Sequence, residues 1–318
     1  MNRIERINNA LTSIHHEVVY HSQEECPKDL LAALGQAFTH IEPLSWSERL
    51  AFGGVYLNGV RCEHNTNLTI PCRVEYFEPK FPIAEAKHAF PSFSDKYILY
   101  EDDDLVAVFK PRGLPSTPNR EQSSYHLKQY LEDYYHCSVH LPSRLDTSTK
   151  GVMMVSRSER MHGRLQRLYE RRLVKKEYLL EVPVRFDWET NEIEAPIARS
   201  ALHPVLREVN SERGKPAKTH FERFREQSFV DRDGTTHDST LLLAKPVSGR
   251  THQLRVHCQE FGPSIIGDNF YEGLFADELH LLSYRVSLWH PFFDREMSVS
   301  VPDNLLPEWI PSEKMPTP

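Results

Sequence analysis

Apolar residues along this chain fall into short runs of two kinds. Stretches 97–101, 105–109, 151–155, 177–183, 219–226, 239–246, 281–288 and 296–301 are rich in branched and aromatic residues and are bounded by polar turns. They predict strands. A shorter apolar run at 139–141 predicts one more, and Asp102, Asp103 and Asp104 mark an acidic turn between the first two. Helical spacing governs 123–135 and 157–172, where Met161, Leu165 and Leu168 form one apolar stripe. A third helix is expected over 251–260, stopped by Gly262. Few helices stand among many strands, and the two do not alternate. That pattern predicts an α+β fold built on a largely antiparallel mixed sheet flanked by helices.

Nearer the start, the run from Ser45 through Trp46 and Glu48 to Leu50 reads as a capped helix start. Asn58-Gly59, between Val55-Tyr56-Leu57 and Val60, is a hairpin signal. Prolines 79, 82 and 91 then punctuate an expected extended linker. The organisation this suggests is a small N-terminal accessory domain over 1–80, a linker over 81–95, a catalytic domain over 96–305 and a tail over 306–318.

Composition narrows the class. With 39% apolar and 26% charged residues in 318, disorder throughout is excluded. The longest apolar stretches, 30–34 and 105–109, fall far short of the roughly 20 residues a membrane-spanning helix needs. Residues 1–20 show no apolar signal core, and the five cysteines (26, 62, 72, 137, 258) form no C-x-x-C pair, so a cytoplasmic protein with reduced thiols is expected. The net charge of −7 argues against a polyanionic partner, but its distribution does not. Eight basic residues and two acids lie between 157 and 176, a local +6 that leaves −13 for the remainder. Arg157, Arg160, Arg164, Arg167 and Arg171 recur every three or four residues and so share one helix face. A solvated charged face is the simpler explanation. Mutual repulsion of so many arginines, each with a fork suited to phosphate, favours nucleic-acid contact instead.

Two further segments carry candidate chemistry. In 143–151, Ser-Arg-Leu-Asp-Thr-Ser-Thr-Lys-Gly, Asp146 lies in a turn, where an aspartate on its own reads as a turn or capping residue. In 248–257, His252 and His257 are five apart, off a common helix face and without an adjacent carboxylate, so a metal site is not expected. Arg255 there is either a surface residue or the buried partner of a distant carboxylate. Dinucleotide, P-loop, nucleophile-elbow and zinc-peptidase motifs do not occur. The residues alone therefore lead to an RNA- or phosphate-handling protein with a candidate acidic catalyst.

Taken in order, these blocks resemble the RluA-type pseudouridine synthase family. The block 104–118, with Lys110-Pro111-Arg112-Gly113, resembles its Lys-Pro-x-Gly motif, and Arg144-Leu145-Asp146 with Thr149 and Gly151 resembles its Arg-Leu-Asp-x-x-Thr-x-Gly motif. Lys176-Glu177-Tyr178 resembles its Lys-x-Tyr strand. The run 249–257 matches its third motif and continues through Gly262, Ile266-Gly267-Asp268 and Tyr271. Leu281-Leu282 and His290-Pro291 resemble its last strand. The departures are Ser143, where the family often has His, and Lys150, where it usually has Ser. Residues 44–77 are somewhat similar to the small ribosomal-protein-type RNA-binding domain of many relatives, but set Arg49, Arg61 and Arg73 against Glu48, Glu63 and Glu75.

The resemblance implies the pseudouridine synthase fold and an isomerase acting on a uridine of ribosomal or transfer RNA, without cofactor or metal. It makes Asp146 the catalyst, Arg255 the cation paired with it, and Tyr178 the tyrosine that packs on the base and is placed to assist proton removal from C5. It places Leu254 in the pocket wall, has Arg144 beside Asp146 move with the extruded nucleotide, and adds Arg250 to the RNA contacts. The helical stripe of Arg160, Arg164, Arg167 and Arg171 would hold the RNA backbone. RNA is the expected partner, not DNA or a membrane, and a monomer suffices. A non-catalytic RNA-binding protein on the same fold is the alternative.

Overall fold

In the computed structural model, residues 2–122, 124–260 and 262–311 are described. Ser123, which opens one expected helix, and 312–318 of the expected tail lie outside them. The chain runs α1 (Arg3–Ala10), β1 (Ser13–Tyr20), α2 (Leu30–Ala37), α3 (Trp46–Phe52), β2 (Val55–Leu57), β3 (Val60–Arg61), β4 (Cys72–Pro79) and α4 (Ala86–Ala89). It continues with β5 (Ile98–Glu101), β6 (Leu105–Lys110), α5 (Leu127–Tyr135), β7 (Lys150–Ser156), α6 (Glu159–Glu170), β8 (Lys175–Val182), β9 (Thr190–Glu194), β10 (Ile197–Arg199) and β11 (Arg207–Val209). It closes with β12 (Lys218–Val230), β13 (Thr236–Pro246), α7 (Gln253–Glu260), β14 (Leu281–Trp289) and β15 (Glu296–Ser300).

A nine-stranded sheet, ordered β5-β6-β7-β14-β8-β13-β12-β9 with β15 also on β14, forms the centre. Its pairs are antiparallel except β7–β14, which is the mixed, α+β arrangement the strand pattern predicts. Alternation along β6 shows how the sheet is buried. Leu105, Ala107 and Phe109 enter the core on one face, and Val106 and Val108 enter the core on the other. β7 repeats this with Val152 and Met154 against Met153 and Val155. The first face is covered by Met161 and Leu165 of α6. The second is covered by Leu127 and Leu131 of α5 at one end and by Leu254 and Cys258 of α7 at the other.

Several expectations are corrected. The expected helix over 123–135 starts at Leu127, because the His126 ring caps it by accepting from Gln129 N–H at 3.1 Å. Residues 139–141 contribute only the single bridge His140–Ser156. Ser45 does not cap α3, since its hydroxyl donates to Glu42 O at 2.8 Å. The stretch expected as an extended linker is folded: a helical turn at 83–85 and α4 bury Ala86 and Phe90. Phe90 is sandwiched between Phe81 at 5.8 Å and the stacked ring of Tyr125 at 5.7 Å. Aromatic burial thus overrides the proline signal. The Asn58-Gly59 turn forms as read, with φ of 53° and 80°.

The N-terminal strands make a separate sheet, β1-β4-β2-β3, over their own core. It is not set apart from the large sheet. Ile7 of α1 is fully buried among Ile197, Leu206, Val256 and Tyr271, and Arg6 donates to Gly273 O at 2.7 Å. Beyond α1, Thr12 N–H and Ser13 Oγ–H both donate to Glu121 Oε1, at 3.0 and 2.8 Å.

The one parallel pairing requires close backbone approach. Gly151 has φ +124°, and a Cβ there would lie 2.2 Å from Ser283 O and 2.7 Å from Ser283 N. Gly151→Ala is therefore expected to cost at least about 1–3 kcal/mol from the backbone alone. Thermal unfolding should register a fall of several degrees.

Candidate active site

The site begins where two sequence blocks interlock. Lys110, fully buried at the end of β6, cannot stay solvated, so its ammonium is satisfied by main chain. Its Nζ donates to Pro111 O at 2.9 Å and Leu114 O at 2.7 Å, and lies 3.4 Å from Thr147 O. Gly113 N–H donates to the same Thr147 carbonyl at 2.7 Å, and Ser116 Oγ–H donates to Leu145 O at 2.8 Å. The 143–149 loop is thus clamped on both sides of Asp146. Burial lowers the Lys110 pKa to about 7, opposed by the charge of Asp146.

Asp146 opens into a cleft of about 1300 Å³, with 28% of its side chain exposed. Its Oδ2 lies 3.5 Å from Arg255 Nη1 and 3.7 Å from His252 Nε2. Burial raises its pKa, but His252 when its ring is protonated, Arg255 by charge and hydrogen bond, and Lys110 hold the carboxyl below its ordinary range. The carboxylate is therefore ionised at neutral pH.

Arg255, on α7, is only 3% exposed and has a second carboxylate partner that the sequence reading did not single out. Its Nε and Nη2 donate to the two oxygens of fully buried Asp268 at 2.7 and 2.6 Å. Asp268 in turn accepts from the main-chain N–H of Phe270 at 3.0 Å and of Tyr271 at 3.2 Å. The guanidinium lies 4.7 Å from the ring centre of Phe270. So fixed, it leaves Nη1 for Asp146.

Tyr178, on β8, also lines the cleft, bonded to the Ser283 side chain. Burial pushes its pKa up to about 12, with Asp146 adding to the rise, so it keeps its proton at neutral pH. Leu254 and exposed Arg144 line the same cleft. Arg250 lines it too, its Nε donating to Pro216 O at 3.2 Å. The structure therefore brings Asp146, Tyr178, Arg255, Arg144, Leu254 and Arg250 together.

The arginine stripe of α6 does not join them. Arg160, Arg164, Arg167 and Arg171 are outside the cleft lining, which receives Gln166, Tyr169 and Arg172 from this region. Arg160 is committed to buried Asp104, with Nε at 2.7 Å from Oδ1 and Nη2 against Oδ2, and it lies 4.9 Å from the Phe292 ring centre. Arg164 lies 5.0 Å from the same ring, and Arg164, Arg167 and Arg171 are exposed. Ser143, one of the departures noted above, is bonded to Tyr169. His257 is buried structurally, between Thr219 Oγ1 at 2.9 Å and Ala195 O at 3.1 Å, away from His252.

Sequence reasoning missed Asp268 and Lys110 as site residues. It also missed the N-terminal Thr12, His15 and Phe77, which line the cleft. For Lys110 there was a signal, a lysine closing an otherwise apolar strand just before Pro111. For the N-terminal residues there was none.

Comparison with known proteins points to one family. A family model described as RNA pseudouridylate synthase matches residues 104–260. The dual-specificity RNA pseudouridine synthase RluA of Vibrio parahaemolyticus is 34% identical over 217 residues, which is 66% of this chain and 84% of that protein. The enzyme of the same name from Escherichia coli K12 is 32% identical, over 64% of this chain and 92% of its own length. Among solved structures, human RNA pseudouridylate synthase domain containing 1 shares the fold with a TM-score of 0.55 at 24% identity, covering 66% of this chain and 84% of its own. Five interlocking sequence blocks, a shared fold and relatives matched over most of their length make one assignment: this chain belongs to the RluA-type RNA pseudouridine synthases, a family of isomerases.

Proposed function

We propose that this protein converts a uridine of ribosomal or transfer RNA in the cytoplasm into pseudouridine, with Asp146 as the catalytic carboxylate. The observation that carries this reading is an ionised carboxylate lining a cleft of about 1300 Å³, ample for a nucleotide, beside an arginine it does not have to share with solvent. The isomerisation breaks the N1–C1′ bond of the nucleotide and forms C5–C1′, while C5 loses a proton and N1 gains one. No atom enters or leaves overall. Asp146 acts on the ribose, either at C1′ or on a ribose proton, and both roles require it ionised. Tyr178 packs against the released base as it turns, its retained hydroxyl proton fixed by Ser283. Leu254 supplies apolar wall, and Arg144 and Arg250 hold phosphate at the cleft mouth.

Taking the uridine out of its stack costs a few kcal/mol, roughly, which charge in the cleft helps to offset. Nine Lys and Arg side chains line the cleft against five Asp and Glu, so its walls are cationic on a protein of net charge −7. The exposed Arg164, Arg167 and Arg171 extend this, since Arg171 adjoins the cleft-lining Arg172, and a bound RNA would run from the cleft onto α6. The relatives named dual-specificity suggest that more than one RNA is accepted. Every group of the site comes from one chain, so a monomer suffices.

Asp146→Asn is expected to cut tritium release from RNA carrying 5-tritiated uridine by at least about 10²-fold. Melting temperature and RNA affinity should stay near wild type. Substantial release by the variant would remove the assignment of Asp146.

Arg164→Glu combined with Arg167→Glu should weaken RNA binding and flatten the plot of log affinity against log salt by about 0.7–0.9 for each phosphate no longer neutralised. An unchanged slope would leave the α6 stripe as a solvated face.

A further inference from the structure

The second group against the Asp146 carboxylate is His252, which has no task in the chemistry assigned so far. We infer that His252 is a positioning residue for Asp146, holding it through a neutral Nε2–H whose tautomer is set by Tyr271. The inference rests on Asp146 being the catalytic carboxylate.

The tautomer follows from counting donors. Tyr271 is fully buried, and its hydroxyl oxygen accepts from Arg207 N–H at 2.9 Å. Its single proton has one further polar neighbour among the hydrogen bonds of the described residues, His252 Nδ1 at 2.8 Å. If Nδ1 carried the ring proton instead, the buried hydroxyl would have nowhere to donate, a cost of about 1–3 kcal/mol. Nδ1 therefore accepts, the ring proton sits on Nε2, and Nε2 is the atom 3.7 Å from Asp146 Oδ2. That separation is longer than a hydrogen bond, as is common before substrate closes a site.

The rest of the setting holds the ring in place. His252 immediately precedes α7 with φ +57°, a left-handed backbone that a non-glycine residue adopts only when its surroundings require it. Its carbonyl accepts from Val256 N–H at 2.9 Å, and its ring meets Tyr271 edge-on at 5.6 Å and Phe270 at 5.7 Å.

Charge around the ring decides its protonation. Burial lowers the His252 pKa to about 4; Asp146 and Asp268 oppose that fall, while Arg255 and Arg207 add to it. The ring is thus neutral across the working pH range and offers Asp146 an oriented dipole rather than another cation. The groups that face Asp146 are Lys110 of β6, Tyr178 of β8, His252, and Arg255 of α7, with Arg207 and Tyr271 further out. Arg255 and Lys110 already act on this carboxylate, and a protonated His252 would add a further cation that ties it down. A neutral donor fixes its direction and leaves its reactivity.

The test compares two amide replacements. An asparagine amide reaches the place of Nδ1, and asparagine tolerates the left-handed backbone. A glutamine amide reaches the place of Nε2. His252→Asn is expected to lower kcat for tritium release roughly 10²-fold, the scale of an ångström's misplacement of a reacting group. KM should stay within about twofold, since ground-state binding is untouched. His252→Gln should recover most of the loss. On the unaltered protein, nitrogen NMR of labelled histidine, assigned through backbone connectivities of the wild-type chain, should show a neutral Nε2–H ring at pH 6. An unchanged kcat in His252→Asn, a rise in KM alone, or a glutamine variant no better than asparagine would overturn the inference. So would an Nδ1–H or doubly protonated ring, a readout that stands even if both variants fail to fold. Asp146→Asn run alongside separates the two failures. If it stays active, the catalytic reading falls and takes this inference with it; if it is inert while His252 fails its tests, only the inference falls.

Discussion

A buried guanidinium between two carboxylates is the constraint on which the site is built. Arg255 and Asp268 have almost no contact with water, and desolvating two such charges costs several kcal/mol per ion unless geometry offsets it. The offsetting geometry is specific: a two-pronged pair at 2.6–2.7 Å, with two main-chain N–H groups completing the Asp268 shell. That arrangement joins α7, the 266–271 turn and, through Nη1, the 143–149 loop. Because the Arg255–Asp268 pair is complete without Asp146, the third nitrogen is presented already oriented. Asp146 can then stay ionised while still partly open to the cleft. Lys110 sets the other side of the same loop through main-chain carbonyls, so the position of Asp146 is determined from below by one cation and from the side by another.

The central sheet was readable because burial on both faces leaves a strong mark. β6 and β7 are nearly continuous apolar runs, and α6 shows its apolar stripe plainly. What stayed illegible has physical causes. In β1, Ile14 and Val19 are exposed while Ser13 is buried, so hydropathy does not alternate with the pleat. The prolines around residue 80 marked a break correctly, but the aromatic contacts that fold it lie far away in sequence, at Phe52 and Tyr125. The motif residues Asp146, Tyr178 and Arg255 could be matched because each sits in a distinctive local block. Asp268 stood inside one such block without a role, since a carboxylate's partner is a property of three dimensions.

Charge density along the sequence and charge density in the cleft do not coincide. The densest basic run, 157–176, supplies only Arg172 and Lys176 to the cleft. The other cleft cations are spread singly between Arg112 and Arg255, on loops and strand ends that the fold gathers. Within the run itself, Arg160 has a structural task, holding Asp104 beneath the start of α6. A run of like charge along a helix therefore reports the helix face, whereas the potential of a concave site is assembled from scattered residues.

The N-terminal region acts on the cleft through shape rather than charge. Between residues 44 and 77 three arginines stand against three glutamates, with no basic excess. Yet α1 is pinned to the α7 core by Ile7, and Gly54 packs its backbone against both Phe77 and Glu121. A side chain at position 54 would collide with Phe77 O at 2.9 Å and press on Glu121 O at 3.1 Å, so the approach depends on glycine. Through this contact Thr12, His15 and Phe77 become part of the cleft wall, beside the cleft-lining Arg120, whose guanidinium lies 6.0 Å from the Phe77 ring centre. The N-terminal region therefore contributes side chains to a cleft whose motif residues Asp146, Tyr178 and Arg255 all come from the later part of the chain.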